Sequence, residues 1–133
     1  MDTTPGDDDR DIRNLLARYC IALDLDDIDE WVSLFTPGAT FEVYGRTFEG
    51  REGLARMASA APGGLHLGGS PVVEIVGPGR ARSRRNLLFV DRVTGEQRSA
   101  IYDDELVRTP DGWRIAACRC RFIVAEGLSD RPD

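Results

Sequence analysis

Between Asp11 and Leu23, apolar side chains fall at Ile12, Leu15, Leu16, Tyr19, Cys20 and Leu23. Steps of three and four lay them in one stripe along a helix. A second, short helix is predicted around Trp31, Val32, Leu34 and Phe35. Asp27 followed three residues later by Glu30 is the order of a capping box, and "TPGA" stops the helix. The period then falls to two: "ATFEVYG" alternates like a strand, and "RTFEG" pairs back on it. A third helix is predicted over "REGLARMASAA", halted by Pro62-Gly63-Gly64. Beyond it, "PVVEIV", "ARSRRNLLFVDR", "RSAIYDDELVRT" and "GWRIAACRCRFIVA" read as strands joined by the turns "GPG", "TGEQ" and "PDG". Helices first and a meander of long strands afterwards is an α+β order.

Length and charge narrow the function classes. At 133 residues the chain is one domain, able to bury a core without disulfide or metal. A formal net charge of −6 argues against nucleic-acid and anionic-membrane partners, which reward basic surfaces. No apolar run approaches the about 20 residues that span a bilayer. The acidic start "MDTTPGDDDR" lacks the features of a signal peptide, so a cytoplasmic protein is expected. Residues 1–10 are expected to form a disordered lead, 11–125 the domain, and 126–133 a flexible tail. Cys20, Cys118 and Cys120 read as small buried hydrophobes. With one histidine and no second cysteine pair, neither zinc nor another metal is expected.

Three residues stand out chemically. Asp26, Asp27 and Asp29 feed the second helix, so capping and solvation account for them. Asp24 instead falls in the last turn of the first helix, at the margin of the apolar stripe, where a carboxylate borders buried space. Tyr19 lies on the stripe itself, a position that suits core as well as site. His66, in "PGGLHLGGSP", is the sole histidine and is read as a loop residue between glycine pairs, just before a strand. Near neutral pH it is the natural proton carrier. From the residues alone, both the structural and the functional readings of all three stay open. In "GRARSRRN", Arg80, Arg82 and Arg84 alternate onto one solvated strand face, and "GPGRA" is a turn.

"RYCIALDLDDIDEWVSLFTPGATFEVYG", "HLGGSPVVEI" and "YDDELVRTPDGWRI" resemble the SnoaL-like branch of the nuclear-transport-factor-2-like superfamily. The likeness runs from about Asp11 to Val124. It implies a cone-shaped α+β domain with N-terminal helices packed in a strongly curved mixed, mainly antiparallel sheet, and a homodimer. Among its members the pattern is most similar to bile-acid 7α-dehydratase and scytalone dehydratase. That resemblance assigns Tyr19 and Asp24 to the helix motif and His66 to the histidine of the site. It further suggests Arg121 on the last strand and Asp91 on the middle strand as polar substrate-binding residues. Leu23 and Val43 stand where the scytalone enzyme has two tyrosines, which argues against that substrate.

Leu16, Leu23, Phe35, Phe41, Met57, Leu87, Phe89 and Phe122 are the expected apolar lining. They fit a hydrophobic ring-containing carbonyl compound better than a sugar or nucleotide. The activity implied is a lyase, a dehydratase working by enolate-type acid–base chemistry with no cofactor. A ketosteroid-isomerase-like enzyme, a polyketide cyclase and a non-catalytic ligand-binding module use the same parts and remain alternatives.

Overall fold

The computed structural model describes residues 5–133. Helices α1 (Pro5–Asp24) and α2 (Ile28–Ser33) lead into strands β1 (Phe35–Val43) and β2 (Arg46–Glu49), followed by α3 (Gly50–Ala60). Then come β3 (Gly64–Gly68), β4 (Val72–Gly77), β5 (Arg80–Asp91), β6 (Gln97–Thr109), β7 (Gly112–Val124) and β8 (Gly127–Ser129). The strands form one sheet in the order β2-β1-β7-β6-β5-β3, with β4 also on β5 and β8 also on β7. Among the described residues only the β1–β7 pairing is parallel. The result is the expected curved, mainly antiparallel sheet with the helices packed on its inner face. No helix among the described residues is long and apolar enough to cross a membrane.

Strand alternation decides what faces inward. On β5, Ala81, Ser83, Arg85 and Leu87 are buried while Arg80, Arg82 and Arg84 point out. On β6 and β7 the buried sets are Ala100, Tyr102, Asp104, Leu106 and Cys118, Cys120, Phe122. These meet the α1 stripe and an aromatic cluster in which Trp31 lies 4.7 Å from Phe35 and 5.6 Å from Tyr19, ring centre to ring centre. Edge-on packing of this kind contributes about 0.5–1.5 kcal/mol per pair beyond simple area burial. All three cysteines are buried free thiols.

The elements differ from expectation in four places. Helix α1 begins at Pro5, inside the stretch expected to be disordered. Proline suits a first helical turn, Asp7 and Asp8 complement the dipole there, and the polar side of a helix carries no hydrophobic signal. Asp8 is nearly buried and accepts from Trp113 Nε1 at 3.0 Å and Arg108 Nη1 at 3.2 Å, which ties that turn to the sheet. Within the tail, residues 127–129 form β8 against β7. The expected capping box of α2 is half made. Asp27 accepts from Glu30 N at 3.1 Å, but the Glu30 carboxylate turns to Arg18.

Most consequential for function, "GLHLG" is a strand and not a loop. Its glycines allow an approach no side chain would. A Cβ on Gly64 would sit 2.1 Å from Val90 O, and one on Gly68 would press to 3.4 Å from Cys20 Sγ of α1. His66 is therefore carried on sheet, paired with Phe89 of β5.

Candidate active site

Helix α1 stops where Asp26 adopts the left-handed conformation (φ 56°), and Asp24 closes its last turn facing β3. Asp24 Oδ1 accepts the backbone N–H of His66 at 2.7 Å and lies 2.9 Å from its Nδ1. That contact assigns the ring proton to Nδ1 and leaves Nε2 as the basic nitrogen. The imidazole is mostly buried and rests on Phe89, ring centres 4.9 Å apart. Burial pushes the His66 pKa below its ordinary value, and the Asp24 hydrogen bond only partly offsets that. The ring is thus neutral at physiological pH and able to accept a proton.

A cavity of about 740 Å³ lies between the helices and the inner face of the sheet. Its walls include Tyr19, Leu23, Trp31, Phe41, Met57, His66, Leu87, Phe89, Tyr102 and Phe122. Apolar and aromatic walls with a few polar groups are what a small organic ligand needs. Tyr19 borders this space with 1% of its surface exposed. Burial first, and the neighbouring Tyr102 and Cys118 next, raise its pKa well above normal, so the phenol keeps its proton and remains a donor. Behind it the fully buried Arg85 stacks its guanidinium 4.6 Å from the Tyr19 ring centre and 5.2 Å from that of Tyr102. The buried Asp104 carboxylate lies 3.5 Å from Arg85 Nε and accepts from Ser83 Oγ at 3.2 Å.

Of the residues expected at the site, Tyr19 and His66 line the cavity, and Asp24 stands behind the wall, in contact with His66. Six of the apolar ones line it: Leu23, Phe41, Met57, Leu87, Phe89 and Phe122. Leu16 and Phe35 do not. They are packed in the core behind the wall, 3% and 1% exposed. Arg121 is also misassigned. It alternates with the inward Cys120 and Phe122, so it faces the outer side of the sheet, where Nη2 donates to Asp103 Oδ2 at 2.9 Å. Asp91 ends β5 and organises the turn, accepting from Val93 N at 2.8 Å and Thr94 N at 3.0 Å. Those two amides hold its pKa low, and it takes no part in the cavity wall.

Sequence reasoning missed Tyr102, Trp31 and Arg85. Tyr102 was open to discovery once β6 parity was known. Arg85 sits beside the outward Arg84 in a run of arginines and carries no separate signal. Among the described residues no group of three or more histidine, cysteine, aspartate or glutamate side chains is placed to hold a metal ion.

Residues 6–119 match the SnoaL-like domain family. The chain is a SnoaL-like protein. It is 31% identical to the Mycobacterium tuberculosis protein Rv2910c over 117 residues, covering 79% of this chain and 78% of that one. Among solved structures, the M. tuberculosis protein Rv3472 superposes with a TM-score of 0.78 at 28% identity, over 87% of this chain and 77% of the other. A provisionally named scytalone dehydratase of Novosphingobium aromaticivorans gives 0.77 at 19% identity, covering 92% and 86%. A hexachlorocyclohexane dehydrochlorinase, LinA-type3, of Novosphingobium barchaimii gives 0.75 at 20%, covering 89% and 91%. The last two share the fold of this SnoaL-like protein.

Proposed function

We propose that this SnoaL-like protein is a lyase that removes water from a hydrophobic, ring-containing β-hydroxy carbonyl compound. The observation that carries the reading is the Asp24–His66 pair at the wall of an apolar cavity that Tyr19 also borders. His66 Nε2 takes the α-proton, and the electrons of that C–H bond move toward the carbonyl oxygen as an enolate. The Tyr19 hydroxyl donates to that oxygen as charge builds, where a fixed donor in a dry site acts most strongly. Asp24 accepts from Nδ1–H and stabilises the imidazolium formed. The enolate then collapses, the β-carbon–oxygen bond breaks, and the same Nε2–H protonates the departing hydroxide. Water leaves, the double bond remains, and His66 returns to its neutral form. Each proton transfer of this kind contributes about 10²–10⁴ in rate.

Two fold relatives are named for eliminations, a dehydratase and a dehydrochlorinase. Their names support the reaction class and leave the substrate open. The test is a panel of β-hydroxy ketones on bicyclic and tricyclic rings, with loss of water followed by mass. Turnover that collapses in a His66→Gln variant supports the reading. Wild-type protein that binds such ketones without converting them would overturn it and leave a ligand-binding module.

A further inference from the structure

The cavity of this acidic protein is rimmed by cations. Arg46, Arg56, Arg98 and Arg131 all contribute to its wall, and Asp26 is the only carboxylate that does. Asp26 is already engaged by Arg92, with Nη2–Oδ2 at 3.1 Å. The chain as a whole has 23 acidic and 17 basic residues, so the excess at the cavity runs against the composition. Arg46, Arg56 and Arg131 are exposed, and none has an acidic partner among the described residues. The four arginines come from four separate parts of the chain (β2, α3, β6 and the segment after β8), so local sequence bias does not explain their convergence.

Arg98 is the best placed of the four. His66 pairs with Phe89 across β3 and β5, and Phe89 pairs with Arg98 across β5 and β6. The three side chains all belong to the cavity wall. Arg98 thus lies in the same cross-strand row as the proton-transfer group, two strand spacings away, or about 10 Å. It is only 28% exposed, and its nearest carboxylate is Glu96 at a loose 3.6 Å. Its guanidinium is held by the Tyr44 hydroxyl, to which Nη1 donates at 2.5 Å, and the Tyr44 ring rests 5.2 Å from Phe122. Tyr44 occupies the tight β1–β2 turn at φ 57°, a left-handed conformation that glycine or asparagine would adopt at lower cost. A strained aromatic residue that both braces a wall side chain and fixes a guanidinium points to a functional constraint at the mouth.

Resting on the reading of this cavity as the reaction site, we infer that its substrate carries an anionic group, carboxylate or phosphate, about 10 Å from the carbon that His66 deprotonates, received by Arg98 with Arg46, Arg56 and Arg131 around it. The apolar walls take the ring system between the two ends. Such an anion fixes which end of a flat apolar molecule enters first, a choice that apolar walls alone do not make.

Calorimetric titration with three probes tests this without catalysis. The first is an acetyl-naphthoate with its acetyl and carboxylate groups at opposite ends of the bicycle. The second is its methyl ester, and the third is the naphthyl phosphate of the same shape. At low ionic strength the carboxylate should bind at least about tenfold tighter than the ester, as charge-assisted hydrogen bonds to guanidinium require. The preference should shrink with added salt, because the rim is exposed. It should fall severalfold in Arg98→Gln and shrink to near nothing in Arg46→Gln/Arg56→Gln/Arg98→Gln, which leaves only Arg131, with ester affinity unchanged in both. Tighter phosphate than carboxylate binding would assign a phosphate ester, and the reverse order a carboxylic acid; either supports the inference. Equal affinity for carboxylate and ester, or a preference undiminished by the triple substitution, overturns it while leaving the elimination reading intact. Binding of none of the probes would overturn both.

Discussion

One oxygen of Asp24 holds two nitrogens of His66, the amide at 2.7 Å and ring Nδ1 at 2.9 Å. The end of the first helix and the first strand after α3 are thereby locked together, and the ring is fixed in tautomer and direction at once. An Asp24→Asn variant keeps an oxygen for one of these bonds but loses the charge. Turnover should drop roughly 10²-fold, while unfolding free energy changes by about 1 kcal/mol. Steady-state kinetics beside urea unfolding separates the two, and equal losses in both would make Asp24 a structural residue.

Acid should switch the protein off below neutrality. Burial carries His66 below its ordinary 6.5 despite Asp24, so the folded protein binds that proton less readily than the unfolded chain. Activity should rise with pH through a midpoint under 6.5 and then level off. Stability follows the same direction. Above about 6.5 the contribution is fully present, and it is lost as pH falls toward the folded value, because the unfolded chain takes up more protons there. A kcat/KM profile and unfolding curves across this window check both, and a His66→Gln variant should flatten the stability dependence.

Replacing Tyr19 with Phe removes one hydroxyl and keeps the ring that packs on Trp31, Phe35 and Tyr102. Loss of a donor aimed at developing negative charge typically costs about 10²–10³ in rate. A fall in kcat of that size with little change in thermal midpoint is expected. Unchanged kcat would remove Tyr19 from the chemistry.

The buried pair Arg85–Asp104 should respond asymmetrically. Arg85→Met or Asp104→Leu alone strands a charge with no solvent and should cost about 3–5 kcal/mol. The double variant replaces both by apolar side chains and should be neutral or up to about 4 kcal/mol more stable. Arg85 Nε and Nη2 and Asp104 Oδ1 already lack hydrogen-bond partners, which favours the stabilising end. Denaturant unfolding of the three variants gives the coupling directly.

Much of this arrangement is legible in the chain. The Ile12–Leu23 stripe sets one face of α1, and the alternation in "RARSRRNLLFVDR" separates the outward Arg80, Arg82 and Arg84 from the core. Tyr19, Asp24 and His66 stand out by residue type and setting, but only the resemblance to SnoaL-like enzymes assigns them to one site. What alternation cannot decide is parity where both faces of a strand are polar or both apolar. Tyr102, beside Asp103 and Asp104, gives no such signal. Arg121 is a different case: the family likeness puts it inside, while the alternation of Cys118, Cys120 and Phe122 with Arg119 and Arg121 puts it outside, where the structure has it. Asp91 belongs to a turn whose geometry forms only when β5 and β6 pair. "GLHLG" hides its strand because glycine has low strand propensity, and only the close approach of Gly64 to the Val90 backbone makes glycine the fitting residue there. Leu16 and Phe35 show that a shared apolar stripe does not separate the cavity wall from the layer behind it.

Strand β3 is the last in its sheet, paired on one side alone. Its outer row of amides is the kind of margin on which a second molecule adds a strand, and its exposed Leu65 and Leu67 make that surface sticky. The His66 amide is turned to that margin, and Asp24 occupies it. Helix α1 packs along β3, and the carboxylate that orients the imidazole thereby also takes the His66 amide on which another backbone would dock. An Asp24→Ala variant, which frees that amide, should show slow growth of particle size in light scattering over days; unchanged size would show that helix α1 alone covers the margin.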